Sequence, residues 1–277
     1  MVLKGIDVSK HKLNIDWEKV KGAGVDFAII RAGYGKRTID AYFERNVKGC
    51  IENGIKIGFY WFLYCLNEEE AVKNAEMFHT VIKEYKNEIE MGVWCDFEYD
   101  TDKYAGKNGV VFDKKTRTAC VNAFCDKMKS YGYNIGNYAN PDYLKNKFNK
   151  IYYPLWLAKY STGFSGYKPI IWQFSNNGNI PGINGRVDLN IYYGDKNPYA
   201  EPTYTLFKGR LFQKKEYVMW LQFELNEMGY ELEVDGSFGK KTDEAFRDFQ
   251  IKHPETYRTK EPDGRCGPAS RKVLKSL

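Results

Sequence analysis

Short apolar runs and helical stripes take turns along the first two thirds of this 277-residue chain. Residues 3–8, 27–32, 57–63, 93–97, 135–139, 154–158, 170–174 and 186–189 are rich in β-branched and aromatic side chains and too short for helices, so the pattern predicts about eight buried strands. Between them Asp16 opens a short helix. Asn67 and three glutamates open another, whose Ala71, Ala75, Phe78, Ile82 and Tyr85 fall on one face. Asp113 opens a third, carrying Cys120, Phe124 and Met128 and closed by Gly132. Strands alternating with helices make parallel βαβ units, and this many in one domain favours closure. Because the later connections are too short for full helices, the expected fold is an irregular (β/α) barrel.

The pattern changes at GDKNPYAEPTY, a polar stretch with Pro and Gly that predicts a linker. The expected organisation is a barrel over 1–195, a linker over 196–206 and a small three-helix unit over 207–277. In that unit Val218, Leu221, Leu225 and Met228 form one stripe ended by Gly229. Ala245, Phe246 and Phe249 form a second, and Pro268 suits the first turn of a third helix. Asp235-Gly-Ser-Phe-Gly is echoed by Asp263-Gly-Arg-Cys-Gly, each a tight turn just before a helix.

The stretch with most chemistry is Val93-Trp94-Cys95-Asp96-Phe97-Glu98. Side chains alternate along a strand, so Trp94, Asp96 and Glu98 share a face, and repulsion between two such carboxylates pushes one toward its protonated form. A strand that merely runs out into a solvated loop would look the same in isolation. The barrel decides between them, because reactive groups in such folds sit at the C-terminal strand ends. Asp7 ends the first predicted strand, Asp96 and Glu98 the fourth, and Asp188 the last, so four acids far apart in sequence converge on one mouth. Tyr60, Tyr138, Trp156, Trp172 and Gln173 stand at equivalent positions and are candidate substrate contacts, although core filling would also explain each aromatic taken singly.

Composition narrows the partners. Aromatic content of 16% suits surfaces that stack on sugar rings. A formal charge of +6, mixed from 42 basic and 36 acidic residues without a long block of one sign, gives no dedicated nucleic-acid surface, only a mild attraction to anionic polymers. No apolar run reaches membrane-spanning length and the start, MVLKGIDVSK, has no signal-peptide pattern, so a cytoplasmic product without a membrane partner is expected. Six scattered cysteines read as reduced and buried. Three distant histidines suggest no metal site, and no cofactor is expected.

Taken together, GIDVS, VWCDFE, YPLWLAKY, WQFS and GRVDLN resemble the family 25 glycoside hydrolases, lysozymes of the Chalaropsis type, over residues 1–195. The resemblance implies a metal-free muramidase that cuts peptidoglycan between N-acetylmuramic acid and N-acetylglucosamine. Glu98 would be the general acid, Asp96 its partner, and Asp7 and Asp188 supporting acids. One departure is Tyr60-Trp61, where many relatives carry Tyr-His. The tail, with LQFELNEMGY, DGSFG, AFRDFQ and DGRCG, resembles the three-helix peptidoglycan-binding module. A phage or prophage endolysin, released through a phage-encoded pore, is the expected setting, with a bacterial autolysin as the alternative. Three other readings differ in chemistry: a chitinase-like glycosidase, a Cys/His wall peptidase using Cys50 or Cys95 with His79, and a glycan binder that has lost catalysis.

Overall fold

The computed structural model describes residues 2–161, 164, 167–194, 197 and 199–276. The chain divides into two compact units, Met1–Gly163 with Pro169–Gly194, and Phe164–Lys168 with Asp195–Leu277. In the first, β1 (Leu3–Val8), β2 (Phe27–Tyr34), β4 (Lys56–Phe62), β5 (Ile89–Asp96), β6 (Ile135–Ala139), β7 (Leu155–Ala158), β8 (Pro169–Gly178) and β9 (Val187–Tyr192) close into an eight-stranded barrel, and the two-residue β3 (Thr38–Ile39) pairs with β2 alone. Neighbours from β1 to β8 run parallel. Of the eight barrel strands described, only β9 is reversed, antiparallel to both β8 and β1.

That reversal corrects one expectation. Asp188 does not end the last strand; it lies at the start of β9, and the strand's direction carries it to the same mouth, in register with Asp7 of β1. A parallel β9 would have put Asp188 at the opposite end.

Alternation sorts the barrel's side chains into two cores. Ile6, Ile30, Phe59, Trp61, Val93 and Cys95 point outward and pack against Phe43, Val47, Ala71, Phe78, Phe124 and Met128 of the surrounding helices. Phe27, Ile29, Trp94, Tyr138, Trp156 and Ile171 fill the inside. Each large side chain so buried contributes roughly 1.5–3 kcal/mol. Glycine makes the inner rings fit: a Cβ at Gly136 would lie 2.2 Å from the Trp94 ring, and one at Gly5 2.4 Å from Phe27.

The helices are α1 (Trp17–Gly22), α2 (Phe43–Glu52), α3 (Glu68–Ile82), α4 (Tyr99–Lys107) and α5 (Lys114–Ser130). Side chains of Asp16, Asn67 and Asp113 accept from Lys19 N (3.2 Å), Glu70 N (2.9 Å) and Thr116 N (2.7 Å), closing the first turns of α1, α3 and α5. The sequence pattern did not predict α2 or α4, and α4 begins immediately after Glu98. Among the described residues, β7, β8 and β9 follow one another without an intervening helix, which is the barrel's irregular side.

The second unit holds α6 (Lys215–Glu227), α7 (Lys240–Lys252) and α8 (Pro268–Leu274) around Val218, Leu221, Leu225, Phe246, Phe249 and Leu274. Of the stretch read as linker, Asn197 donates to Trp220 O (2.8 Å), Tyr199 packs on Phe223, and Leu206 is fully buried and exchanges backbone hydrogen bonds with Cys266. Those residues are therefore part of the folded unit.

Candidate active site

Three strands and one helix start bring the acids together. Asp7 and Asp96 lie on the inward faces of β1 and β5, 8% and 6% exposed, and Asp188 faces Asp7 across the β1–β9 pair. Glu98 is past the end of β5. It stands at the N-cap of α4 in extended conformation (φ −131°, ψ −174°), so strand alternation carries on to it although the strand has ended. Thr101 fixes this corner: its Oγ1 accepts from Glu98 N (3.3 Å) and donates to Leu63 O (2.7 Å).

A hydrogen-bonded chain holds Asp7. Its Oδ2 accepts from Gln173 Nε2 (2.7 Å) and Asn190 Nδ2 (2.8 Å). Asn190 Oδ1 in turn accepts from Trp156 Nε1 (2.8 Å), and Gln173 Oε1 from the hydroxyls of Tyr138 (3.0 Å) and Tyr160 (2.9 Å). Lys12 donates to Arg186 O (2.6 Å) and lies 3.9 Å from Asp188. By contrast, Asp96 Oδ1 is buried without a hydrogen-bond partner. A carboxyl oxygen buried without a partner is costly, and such atoms are rare enough to mark a site.

Burial raises every one of these acids. The Asp7 carboxyl is pushed up to about 7 by burial and then by Asp188, against the pull of Asn190, Gln173 and Lys12. Asp96 is raised well above the carboxylate range by burial, then by Glu98 and Asp7, with Arg31 opposing. Glu98 rises to about 7 through burial and then Asp100, with Asp188 adding to the rise and the polar contact with the Tyr138 hydroxyl opposing it. Asp188 is raised by burial and held down by Lys12. The expected mutual repulsion of Asp96 and Glu98 is thus secondary to burial. It weighs on Asp96, whereas the charge that weighs on Glu98 is Asp100.

The aromatic candidates separate by face. Tyr60, Tyr138 and Trp156 are inside, with Trp156 edge-on to Tyr138 (4.8 Å between centroids), Trp94 (5.9 Å) and Tyr60 (6.0 Å). Gln173 is at the mouth. Trp172 is not: it alternates with Gln173, its Nε1 donates to Lys159 O (2.9 Å), and its ring lies against Phe174, so it is removed from the group of inward contacts. Trp61 also points outward, donating to Gly35 O and Asn74 Oδ1 (3.1 Å each) and packing on Phe78. The departure from Tyr-His therefore lies in the layer between barrel and helices.

Asn190, Tyr160, Thr101 and Arg31 were missed by sequence reasoning. Arg31 is on the inward face of β2 and is held by buried Asp40 through Nε (2.8 Å). Period-two alternation would have found Asn190 within β9 from Asp188 and Arg31 within β2 from Phe27 and Ile29; nothing local marks Thr101 or Tyr160. The Cys/His reading finds no geometry: His79 is on α3 with its Nδ1 3.0 Å from Tyr133 Oη and its ring stacked on Tyr131, while Cys50 and Cys95 are buried in the outer core with raised thiols.

Residues 6–183 match the model of the glycosyl hydrolases family 25, and residues 214–274 that of a putative peptidoglycan binding domain. An autolytic lysozyme of Clostridium acetobutylicum is 26% identical over 257 residues, 90% of this chain and 72% of the relative. Among solved structures, the modular autolysin LytC of Streptococcus pneumoniae, in complex with a synthetic peptidoglycan ligand, superposes with a TM-score of 0.60 at 27% identity. The match covers 69% of this chain and 47% of that one. A family 25 glycosyl hydrolase from Bacillus anthracis gives 0.60 at 25% identity over 70% of this chain and 89% of its own.

Proposed function

The chain belongs to glycosyl hydrolase family 25 and is a glycoside hydrolase of the lysozyme kind, and on that premise we propose how its mouth cuts the β-1,4 bond between N-acetylmuramic acid and N-acetylglucosamine in peptidoglycan. The observation that carries the mechanism is the contrast between a bonded Asp7 and an unbonded Asp96 oxygen beside a Glu98 whose acidity is tuned to about 7. Glu98 gives its proton to the leaving sugar oxygen as the C1–O bond breaks. The substrate's own acetamide oxygen forms the new bond to C1, while its N–H donates to Asp96. Water then opens the resulting ring, returning a proton to Glu98. Asp7 and Asp188, anchored by Gln173, Asn190 and Lys12, keep Asp96 and the incoming water in place.

Asp96 and Glu98 rise from one strand end, which is a poor arrangement for flanking both faces of a sugar as a nucleophile and an acid must. Peptidoglycan whose muramic residues bear a free amine in place of the acetamide should bind and resist cleavage. A covalent glycosyl adduct on Asp96, caught by mass spectrometry during turnover, would return Asp96 to the role of nucleophile. The bond itself is read from borohydride-reduced digests: new reducing ends on muramic acid are expected, and new ends on glucosamine would refute the muramidase assignment. Cleavage of chitin oligosaccharides at a comparable rate would favour the chitinase-like alternative.

The finer setting we infer is lysis from within by an endolysin reaching the wall through a pore. A specific observation favours the second reading, an autolysin: the clostridial autolytic lysozyme is similar over 90% of the chain. Expression of the gene in growing cells without phage induction would decide for the autolysin.

A further inference from the structure

The loop that leads into α6 holds two large apolar side chains out of the second unit's core. Leu211 is 79% exposed and Phe212 96%. Phe212 does so with φ at +59°, a left-handed conformation that residues with a bulky side chain rarely adopt. The loop is tied rather than loose. Gln213 bonds both backbone groups of Phe207 (3.1 and 3.0 Å), and the Tyr204 hydroxyl accepts from Lys214 N (2.7 Å) and donates to Phe212 O (3.4 Å). The Arg210 guanidinium caps the Tyr204 ring at 4.3 Å. Strain maintained by surrounding bonds, with nothing of the unit's own core gained in exchange, is a mark of a surface built for contact.

Charge selects the partner. Lys208, Arg210, Lys214 and Lys215 bracket the tip, and no carboxylate occurs between Glu201 and Glu216. Arg265 adds a further cation over the Phe207 ring at 4.2 Å. A glycan surface calls for polar side chains converging on its hydroxyls, and the polar residue between the tip's apolar pair and the cations, Gln213, has its amide bonded to the Phe207 backbone. A bilayer with anionic head groups asks for the arrangement present: apolar side chains to enter the acyl boundary, and cations at the level of the phosphates. We propose that Leu211 and Phe212 form an insertion tip by which the C-terminal unit rests on an anionic lipid bilayer, with Lys208, Arg210, Lys214 and Lys215 contacting the phosphates. The expectation of no membrane partner came from the lack of a spanning segment, and peripheral insertion needs none.

The test floats the full chain with vesicles of phosphatidylcholine, with and without 30% phosphatidylglycerol. The parent should float with the anionic vesicles only, and raising salt to 0.5 M should release most of it. Leu211→Ser/Phe212→Ser should lower partitioning by about tenfold for each side chain, and leave sedimentation with washed cell walls unchanged. Phe212→Gly guards against misfolding: it should lose partitioning while raising Tm, because glycine accepts the left-handed backbone. The proposal is overturned if the parent fails to float with anionic vesicles, or if the double variant floats as well as the parent. A double variant that loses wall sedimentation would also overturn it and make the tip a glycan contact.

Discussion

The barrel mouth and the repeated turns of the C-terminal unit both bury polar side chains, and they treat them in opposite ways. In the turns every group is matched. Gln222 donates to Asp235 Oδ1 (2.8 Å) and accepts from Gly236 N (2.9 Å), and Asp235 also accepts from Ser237 N (2.8 Å). One helix later Gln250, Asp263, Gly264 and Arg265 repeat the construction at 2.7, 2.8 and 2.9 Å. At the mouth four carboxyls share a small volume, all raised, with one Asp96 oxygen left open. Satisfied burial fixes a shape. Unsatisfied burial holds back interaction energy that a substrate can claim.

The sharpest way to separate the two is to neutralise one acid. Glu98→Gln keeps the shape and removes the transferable proton, so turnover should fall by ~100-fold to ~10,000-fold. Because the carboxylate is held against burial, the same variant should melt at or above the parent temperature at pH 7.5. Wall clearance at the parental rate would end the assignment of Glu98 as the acid. Activity of the parent should decline as pH rises through about 7, where Glu98 gives up its proton.

In the turns the same kind of change should act on stability alone. Gln250→Ala leaves Asp263 Oδ1 and the Gly264 N–H each short of a partner, which costs about 1–3 kcal/mol. Scanning calorimetry should show the loss in the transition of the C-terminal unit, with cleavage of soluble glycan fragments unaffected. A parallel fall in that cleavage would dissolve the distinction drawn between the two regions. We also expect the C-terminal unit to act as a wall anchor; deleting 195–277 should raise the concentration of wall needed while sparing turnover on soluble fragments.

Much of this was legible in the chain. Eight short apolar runs alternating with helical stripes announced the barrel, and Asp7, Asp96 and Asp188 announced its mouth, because strand ends are set by local pattern. What was not legible depends on neighbours. The reversal of β9 is decided by which edges remain to be paired, and Asp188 read as a strand end by a correct position and an incorrect direction. Trp172 cannot share a face with Gln173, because adjacent residues on a strand point opposite ways, and an aromatic next to a mouth residue does not say which of the two faces inward. Arg31 and Thr101 are tied to Asp40 and Leu63 by contacts that no spacing encodes.

The smallest expected effect tests the cost of the mouth directly. Asp7 has a folded pKa of about 7 and an unfolded value near 3.8, so between those limits the folded state binds more protons than the unfolded one. Stability from this group is therefore fully present below about pH 4, falls as pH rises through the window, and is flat above about 7. Asp7→Asn removes the titration and keeps an oxygen for Gln173 and Asn190. Because Asp7 shares its protons with Asp188, and bonds from Gln173 and Asn190 offset part of the burial, the gain should be a part of the ceiling of about 4 kcal/mol that three pH units allow, about 1–2 kcal/mol at pH 8. The variant and parent should melt alike at pH 4 and separate progressively up to pH 7, with the variant higher. Curves that stay parallel across the window would mean that Asp7 is not held against its charge, and that the mouth is as well satisfied as the turns.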